Sequence, residues 1–551
     1  MKNTFITSWK RLLSLLKMEK EDLLQVLYYA IFAGILSLSL PLGIQAIVNL
    51  IQGAQISTSW VVLVILVSLA VVFVGILELL QFRIIENIQQ KLFVRASFEF
   101  SNRFPKIKMS EFHNAYPPEL ANRFFDILNV QKGVSKLLID FPAALLQILL
   151  GLILLSLYHP FFIIYGLLLL GLIYVLFKYS AQKGLQTSLE ESKHKYKVAH
   201  WIQEIARSVV SFKLSGKTQL ALDKNDKLVM NYVLAREKHF KILAFQFSKM
   251  IVFKLLVTAG LLVVGGLLVL NQQMNIGQFV AAEIIILLII GSVEKLILGL
   301  ESFYDVLTSL EKLGQVLDKD LENQKGYVDL DLNTEMDIEL KNISYQDGED
   351  LILNSISLHI PAKQKILLQG DSGSGKSTFL RLLAGIIEPT QGDFYINNFH
   401  QNTVKLNNYR TLLGISLAEE TPFEGTILEN LTFGDTSIDA KFIHEIIDLV
   451  GLTDFVKSQE KGLQTILYPE GKKISYTLSK KIILARAILK RPKFFILKEP
   501  LDQFDVKEAQ AIVAYLTKPN RDWGLIVVSR EPYWETKVDK KIELRNGTLI
   551  S

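Results

Sequence analysis

The stretch Gly370-Asp371-Ser372-Gly373-Ser374-Gly375-Lys376-Ser377 decides how the second half of this chain folds. It is a complete G-x-x-x-x-G-K-[ST] phosphate loop. KILLQ at 365–369 reads as a buried strand entering it, and STFLRLLAGII at 377–387 as a helix leaving it. Glycines let the backbone wrap a row of phosphates, so that several N–H groups and the helix N-terminus point at them. Lys376 would neutralise the β- and γ-phosphates, Ser377 would offer its hydroxyl to Mg²⁺, and Thr378 carries the loop into the helix. A plain tight turn would need glycines but neither the lysine nor the hydroxyl.

Around this loop, short β-type runs alternate with helical ones from Ile338 onward, the pattern of an α/β domain. Just before it, DKDLENQKGYVDLDLNTEMD is acidic and polar and reads as a linker, placed at 318–335, with the α/β domain at 336–551. The first 300 residues differ. Half of all 551 residues are hydrophobic, and the excess sits in this part of the chain. Apolar segments of bilayer-crossing length, roughly 20 residues each, occur near 24–51, 59–82, 138–158, 160–178, 251–271 and 276–299. Six spans are therefore predicted within a region 23–317.

The connections alternate. Those after the first, third and fifth spans are very short and hold no Lys or Arg. The long loops, 83–137 and 179–250, hold many, among them Arg83, Lys91, Arg95, Lys106, Lys108, Lys183, Lys193, Arg207 and Lys217. By the positive-inside rule the long loops and both termini lie in the cytoplasm. Each long loop continues the helical pattern of its neighbouring span, so the spans are predicted to run on beyond the bilayer, with breaks near Ser110–Ala115 and Leu214–Lys217. Two separate small cytoplasmic domains are the competing reading, and the loops lack the turn signals it needs. Residues 1–22 carry basic residues without a long apolar run or a cleavage site, which suggests an interfacial amphipathic helix. Glu78, Glu283 and Glu294 lie in or near spans, where carboxylates are costly and invite a substrate role, although Glu294 beside Lys295 also suits a helix end.

Composition excludes several classes. A formal charge of +5 is small for 551 residues and gives no concentrated basic face, so no nucleic-acid partner is expected. Zero cysteines exclude disulfides, thiolate metal sites and a built-in cysteine protease.

Six spans followed by this phosphate loop resemble the half-transporters of the ABC exporter family. FEGTILENLTFG at 423–434 is similar to the family's stretch after its Q-loop, and LARAILKRPKFFIL at 484–497 to its signature helix and Walker B strand. The resemblance spans essentially the whole chain. It implies a membrane all-α six-helix domain fused to a cytoplasmic α/β P-loop NTPase, with ATP bound at residues 370–378. It assigns Tyr345, 25 residues before Gly370, to stacking on adenine, and Asp505 in PLDQFD to the D-loop. It further implies a second half-transporter as homo- or heterodimer partner, the lipid bilayer, a periplasmic adaptor as an optional partner and a bacterial inner membrane. Within the family the resemblance leans toward haemolysin-type secretion exporters.

The chain departs from the family pattern where ATP is hydrolysed. The Walker B strand, which in the family ends Asp-Glu, here ends Lys498-Glu499, so the possible catalytic glutamate remains and the metal-holding carboxylate is an ammonium. Ala418 takes the Q-loop position, Ser475 is the one match in a signature read as Ile474-Ser475-Tyr476-Thr477-Leu478, and Arg530 replaces the switch histidine. Phosphoryl transfer rests on positioning and charge stabilisation, so these changes imply slow hydrolysis, with Mg²⁺ in doubt as a cofactor. The phosphate loop is intact, and Lys498 and Arg530 add cationic groups, so ATP binding is expected to persist with weak metal dependence. Export with weak or binding-dominated turnover is the reading that follows. Its rival is a non-hydrolytic ATP-binding regulator or scaffold of a membrane complex.

Overall fold

The computed structural model describes residues 2–52, 58–113, 115–178, 181–323, 325–331, 333–519 and 521–550. The chain divides into two compact units, one of 1–106 and 114–319, the other of 107–113 and 320–551.

The first unit is helical. Among the described residues five helices are long and apolar enough to cross a membrane: Lys20–Gln52, Thr58–Lys106, Pro117–Tyr158, Leu220–Leu270 and Ile276–Leu317. The span expected at 160–178 is the helix Phe161–Lys178. Its described apolar part, Phe161–Tyr174, is shorter than the other five. The tip of the first short connection, 53–57, lies outside the described residues. The segment expected as one span at 24–51 is two helices, Lys20–Ser37 and Ser39–Gln52. Pro41 explains the break, because its ring lacks an N–H and clashes with the carbonyl four residues earlier, that of Ser37.

Thr58–Arg103 is one helix of 46 residues and Leu220–Leu270 one of 51. At 1.5 Å per residue they are roughly 70 and 75 Å long, more than twice a hydrocarbon core of roughly 30 Å. Lys2–Met18 is also helical. The core of this unit lies where Ile285, Ile289 and Val293 of the last long helix meet Ala144 and Ile148 of Asp126–Tyr158 and Val257 of Leu220–Leu270. Gly151 lets the first two helices approach, since a Cβ there would meet Ile289 at 3.1 Å and Ile285 at 3.2 Å. Glu294 is held by Lys254 at 2.5 Å, within a helix that runs on to Leu317 instead of ending beside Lys295. Glu283 is half-buried and Glu78 exposed.

The second unit is α/β. Its six-stranded sheet runs in the order Thr548–Ile550, Lys540–Arg545, Lys365–Gln369, Gly524–Val528, Phe494–Lys498, Leu413–Ser416. Pairings are parallel except for that of Thr548–Ile550. Apolar runs without alternation suit a sheet covered on both faces. Ile366 and Leu368 enter one hydrophobic core and Leu367 the other, as the two-residue period of a strand requires. A four-stranded antiparallel sheet containing Ile338–Asp347 packs into the first of these cores.

The expected linker at 318–335 is in part built into this unit. Tyr327 and Val328 both donate N–H to the Thr403 carbonyl at 2.9 Å, and Leu330 is buried in the core. The apolar Val328 and Leu330 gain burial there, which the acidic residues around them hide from a composition reading.

Candidate nucleotide site

Lys365–Gln369 delivers the chain to the phosphate loop at the C-terminal edge of the sheet, and the helix Lys376–Leu383 leaves it. Gly370, Gly373 and Gly375 have φ of 142°, 83° and 100°, the region that L side chains avoid. At Gly370 a Cβ would collide with the Leu544 carbonyl oxygen, so glycine is needed twice over. Gly375 caps the helix, and the Phe379 N–H returns to its carbonyl at 2.9 Å.

The loop borders a cavity of about 870 Å³. Gly370, Ser372, Gly373, Gly375, Lys376, Ser377 and Thr378 line it, joined by Lys498, Glu499 and Arg530 from the two neighbouring strand ends. The structure thus gathers most of the residues singled out from sequence. Asp371 and Ser374 shape the loop instead: the Lys376 ammonium donates to the carbonyls of Gly370 and Asp371 at 2.7 and 2.6 Å and reaches Ser374 Oγ at 3.4 Å. Burial, followed by the charges of Lys498 and Arg530, holds the Lys376 ammonium below the ordinary lysine pKa, against the pull of Asp371 and Glu499.

Lys498 ends its strand paired with Val528, and its Nζ donates to Ser377 Oγ at 2.6 Å. Glu499 follows at φ 44°, a sparsely populated conformation for a residue with a side chain. Its N–H donates to the Val528 carbonyl at 2.7 Å, and its carboxylate accepts the Arg530 N–H at 3.2 Å.

Magnesium does not fit this donor set. The loop hydroxyl that would ligate it already accepts from an ammonium, and the strand ends at 498 in a lysine instead of a carboxylate. A triphosphate does fit, in the glycine-rich loop with three cationic side chains around the cavity.

Tyr345 does not line this cavity. It lies in the strand Ile338–Asp347, is 8% exposed within the hydrophobic core, and lines a different cavity, with Gln346, Glu388 and His113. The family resemblance assigns it to stacking on adenine, whereas here the strand turns the ring inward beside Ile343, and a register shift follows it. Ala418 is exposed after the strand Leu413–Ser416, outside the cavity. Ser475 caps the helix Tyr476–Leu489 by accepting the Leu478 N–H at 3.1 Å, and Asp505 precedes the helix Val506–Thr517; neither lines the cavity. Asp502 does line it and was not anticipated. The Tyr476 hydroxyl donates to its carboxylate at 3.2 Å, so the first residue of the Ser475-capped helix is tied to the loop after Glu499.

Two family models match the chain, one described as ABC transporter transmembrane region over residues 23–293 and one as ABC transporter over 353–502. A putative export ATP-binding/permease protein of Rickettsia bellii is 25% identical over 479 residues, 84% of this chain and 81% of that protein. The alpha-hemolysin translocation ATP-binding protein of Escherichia coli O157:H7 is 26% identical over 282 residues, 51% of this chain and 40% of that one. A mitochondrial iron-sulfur clusters transporter of Oryzias latipes is 28% identical over 205 residues, 37% of this chain and 27% of that one. A bacterial Atm1-family ABC exporter solved with ATP bound shares the fold at TM-score 0.85 and 17% identity, covering 96% of this chain and 95% of that one.

Proposed function

The chain belongs to the ABC transporter family as an exporter-type half-transporter, and from that premise we propose that it drives export across a bacterial inner membrane with a second half as partner. In this reading ATP binds at 370–378, and its binding, more than its hydrolysis, closes two nucleotide domains and switches the membrane path. The observation that carries the reading is the phosphate loop itself, in its required backbone geometry at the mouth of a cavity with Lys376, Lys498 and Arg530.

Slow turnover follows from what surrounds Glu499. A glutamate that polarises attacking water works beside groups that stabilise charge on the transferred phosphoryl. Lys498 stands where a metal-holding carboxylate would, and the Arg530 backbone N–H occupies part of the Glu499 carboxylate. Each tenfold loss of rate corresponds to about 1.4 kcal/mol of transition-state stabilisation, so three or four altered positions suffice to make hydrolysis rare.

The test is ATPase activity of the purified chain in lipid with Mg²⁺, beside Lys376→Ala. Turnover above that variant, however slow, supports the exporter reading. ATP binding with no turnover would instead support a non-hydrolytic regulator or scaffold.

A further inference from the structure

We propose that Lys498 is the resident cation of this site and that its ligand is the metal-free nucleoside triphosphate, so that added Mg²⁺ weakens binding instead of enabling it. The inference rests on the nucleotide reading above and goes beyond it.

The carrying observation is one contact. Lys498 Nζ donates to Ser377 Oγ at 2.6 Å, and this hydroxyl is the one a phosphate loop offers to a divalent ion. A magnesium ion takes oxygen ligands at about 2.1 Å, so on Ser377 it would sit within about 5 Å of the ammonium. Two cations in that space repel, and the hydroxyl oxygen that would ligate the metal is already turned to accept from the ammonium. The lysine is tethered to the strand Phe494–Lys498 and cannot diffuse away as an ion can.

The cavity is not cationic overall, so what favours the metal-free ligand is the placement of one ammonium on Ser377. Lys376, Lys498 and Arg530 line it, with Glu499, Asp502, Glu531 and Glu535 on the other side of the balance. Three of these carboxylates are hydrogen-bonded, Glu499 by the Arg530 N–H, Asp502 by the Tyr476 hydroxyl and Glu535 by Lys541 at 3.2 Å, and only the last is offset by a positive charge. Lys376, Lys498 and Arg530 line one cavity, where like charges repel. A fully ionised triphosphate relieves that repulsion more than one already neutralised by a divalent ion. Lys498 would then hold a terminal phosphate oxygen as a charged donor, as a phosphate-loop lysine does.

The experiment titrates the full-length chain in lipid nanodiscs with a fluorescent ATP analogue, once in excess EDTA and once in excess MgCl₂. Tighter binding in EDTA than in MgCl₂ is expected, and equal affinity in the two buffers overturns the inference. Lys498→Asp should reverse the order, losing tenfold or more in EDTA and recovering with Mg²⁺, and Lys498→Met should weaken binding in EDTA while leaving the Mg²⁺ arm less affected. A wild-type affinity that falls tenfold or more in EDTA overturns the inference while the nucleotide reading stands. Absence of binding in both buffers overturns that reading and this inference together.

Discussion

The Glu499 carboxylate accepts the Arg530 backbone N–H at 3.2 Å, which ties the end of the strand Phe494–Lys498 to the second residue after the strand Gly524–Val528. Both strand ends face the phosphate loop across one cavity. Glu499→Gln keeps an acceptor for that N–H and removes the base. Its expected effect is a fall in ATP turnover of roughly a hundredfold with ATP affinity unchanged, read by steady-state ATPase beside equilibrium binding. Equal turnover in variant and wild type would remove Glu499 from the chemistry.

Lys376→Ala should weaken ATP binding by about tenfold to a hundredfold, since a hydrogen bond from a charged donor contributes about 1.5–3 kcal/mol. The ammonium now satisfies itself on the Gly370 and Asp371 carbonyls, so the unliganded fold should lose little. Isothermal titration and a melting curve measured on the same sample separate the two effects. A large fall in melting temperature with unchanged affinity would make this lysine a structural clamp.

The same lysine makes binding depend on pH in a direction that can be worked out. Without ligand its pKa is lowered, first by burial and then by Lys498 and Arg530. Anionic phosphate beside it favours the charged form and raises the pKa again. Between the two values binding therefore takes up a proton, and affinity falls as pH rises through the lowered one. Calorimetry at alkaline pH in two buffers of different ionisation heat should show this uptake, and the same pair at neutral pH should show none from Lys376.

Tyr345 separates a core role from a stacking role. Tyr345→Ala should destabilise the nucleotide domain by about 3–5 kcal/mol, the usual range for a buried aromatic, because the ring is 8% exposed in the core. Tyr345→Phe should leave melting temperature and ATP affinity near wild type. A selective loss of affinity in Tyr345→Ala, without a thermal shift, would restore the stacking assignment.

Gly375→Ala tests the loop backbone. At φ 100° a side chain costs about 1–3 kcal/mol, and the new Cβ would meet Leu353 at 3.0 Å and the Ile352 carbonyl at 3.1 Å. Loss of ATP binding together with a lower melting temperature is expected. Wild-type affinity in this variant would mean that the loop binds phosphate in another conformation.

The phosphate loop and its flanking strand and helix were legible from 365–387 because a glycine-lysine-hydroxyl pattern between an apolar run and a helical run satisfies backbone geometry and phosphate chemistry at once. The long apolar helices were legible for an equally local reason, since a bilayer demands about twenty apolar residues in a row. Lys498, Glu499 and Arg530 could be named through the resemblance to the family's Walker B and switch positions. What the sequence by itself determined was therefore whatever is written locally, in period, composition and contiguous motif. The tertiary structure alone decided the rest. It turned Tyr345 into the core through strand register, folded Val328 and Leu330 of an acidic segment onto the α/β unit, and brought Asp502 to the cavity. It also set Lys498 on Ser377, 121 residues earlier in the chain. Contacts between residues far apart in sequence depend on which strands pair and which face each residue takes, and no local pattern encodes that.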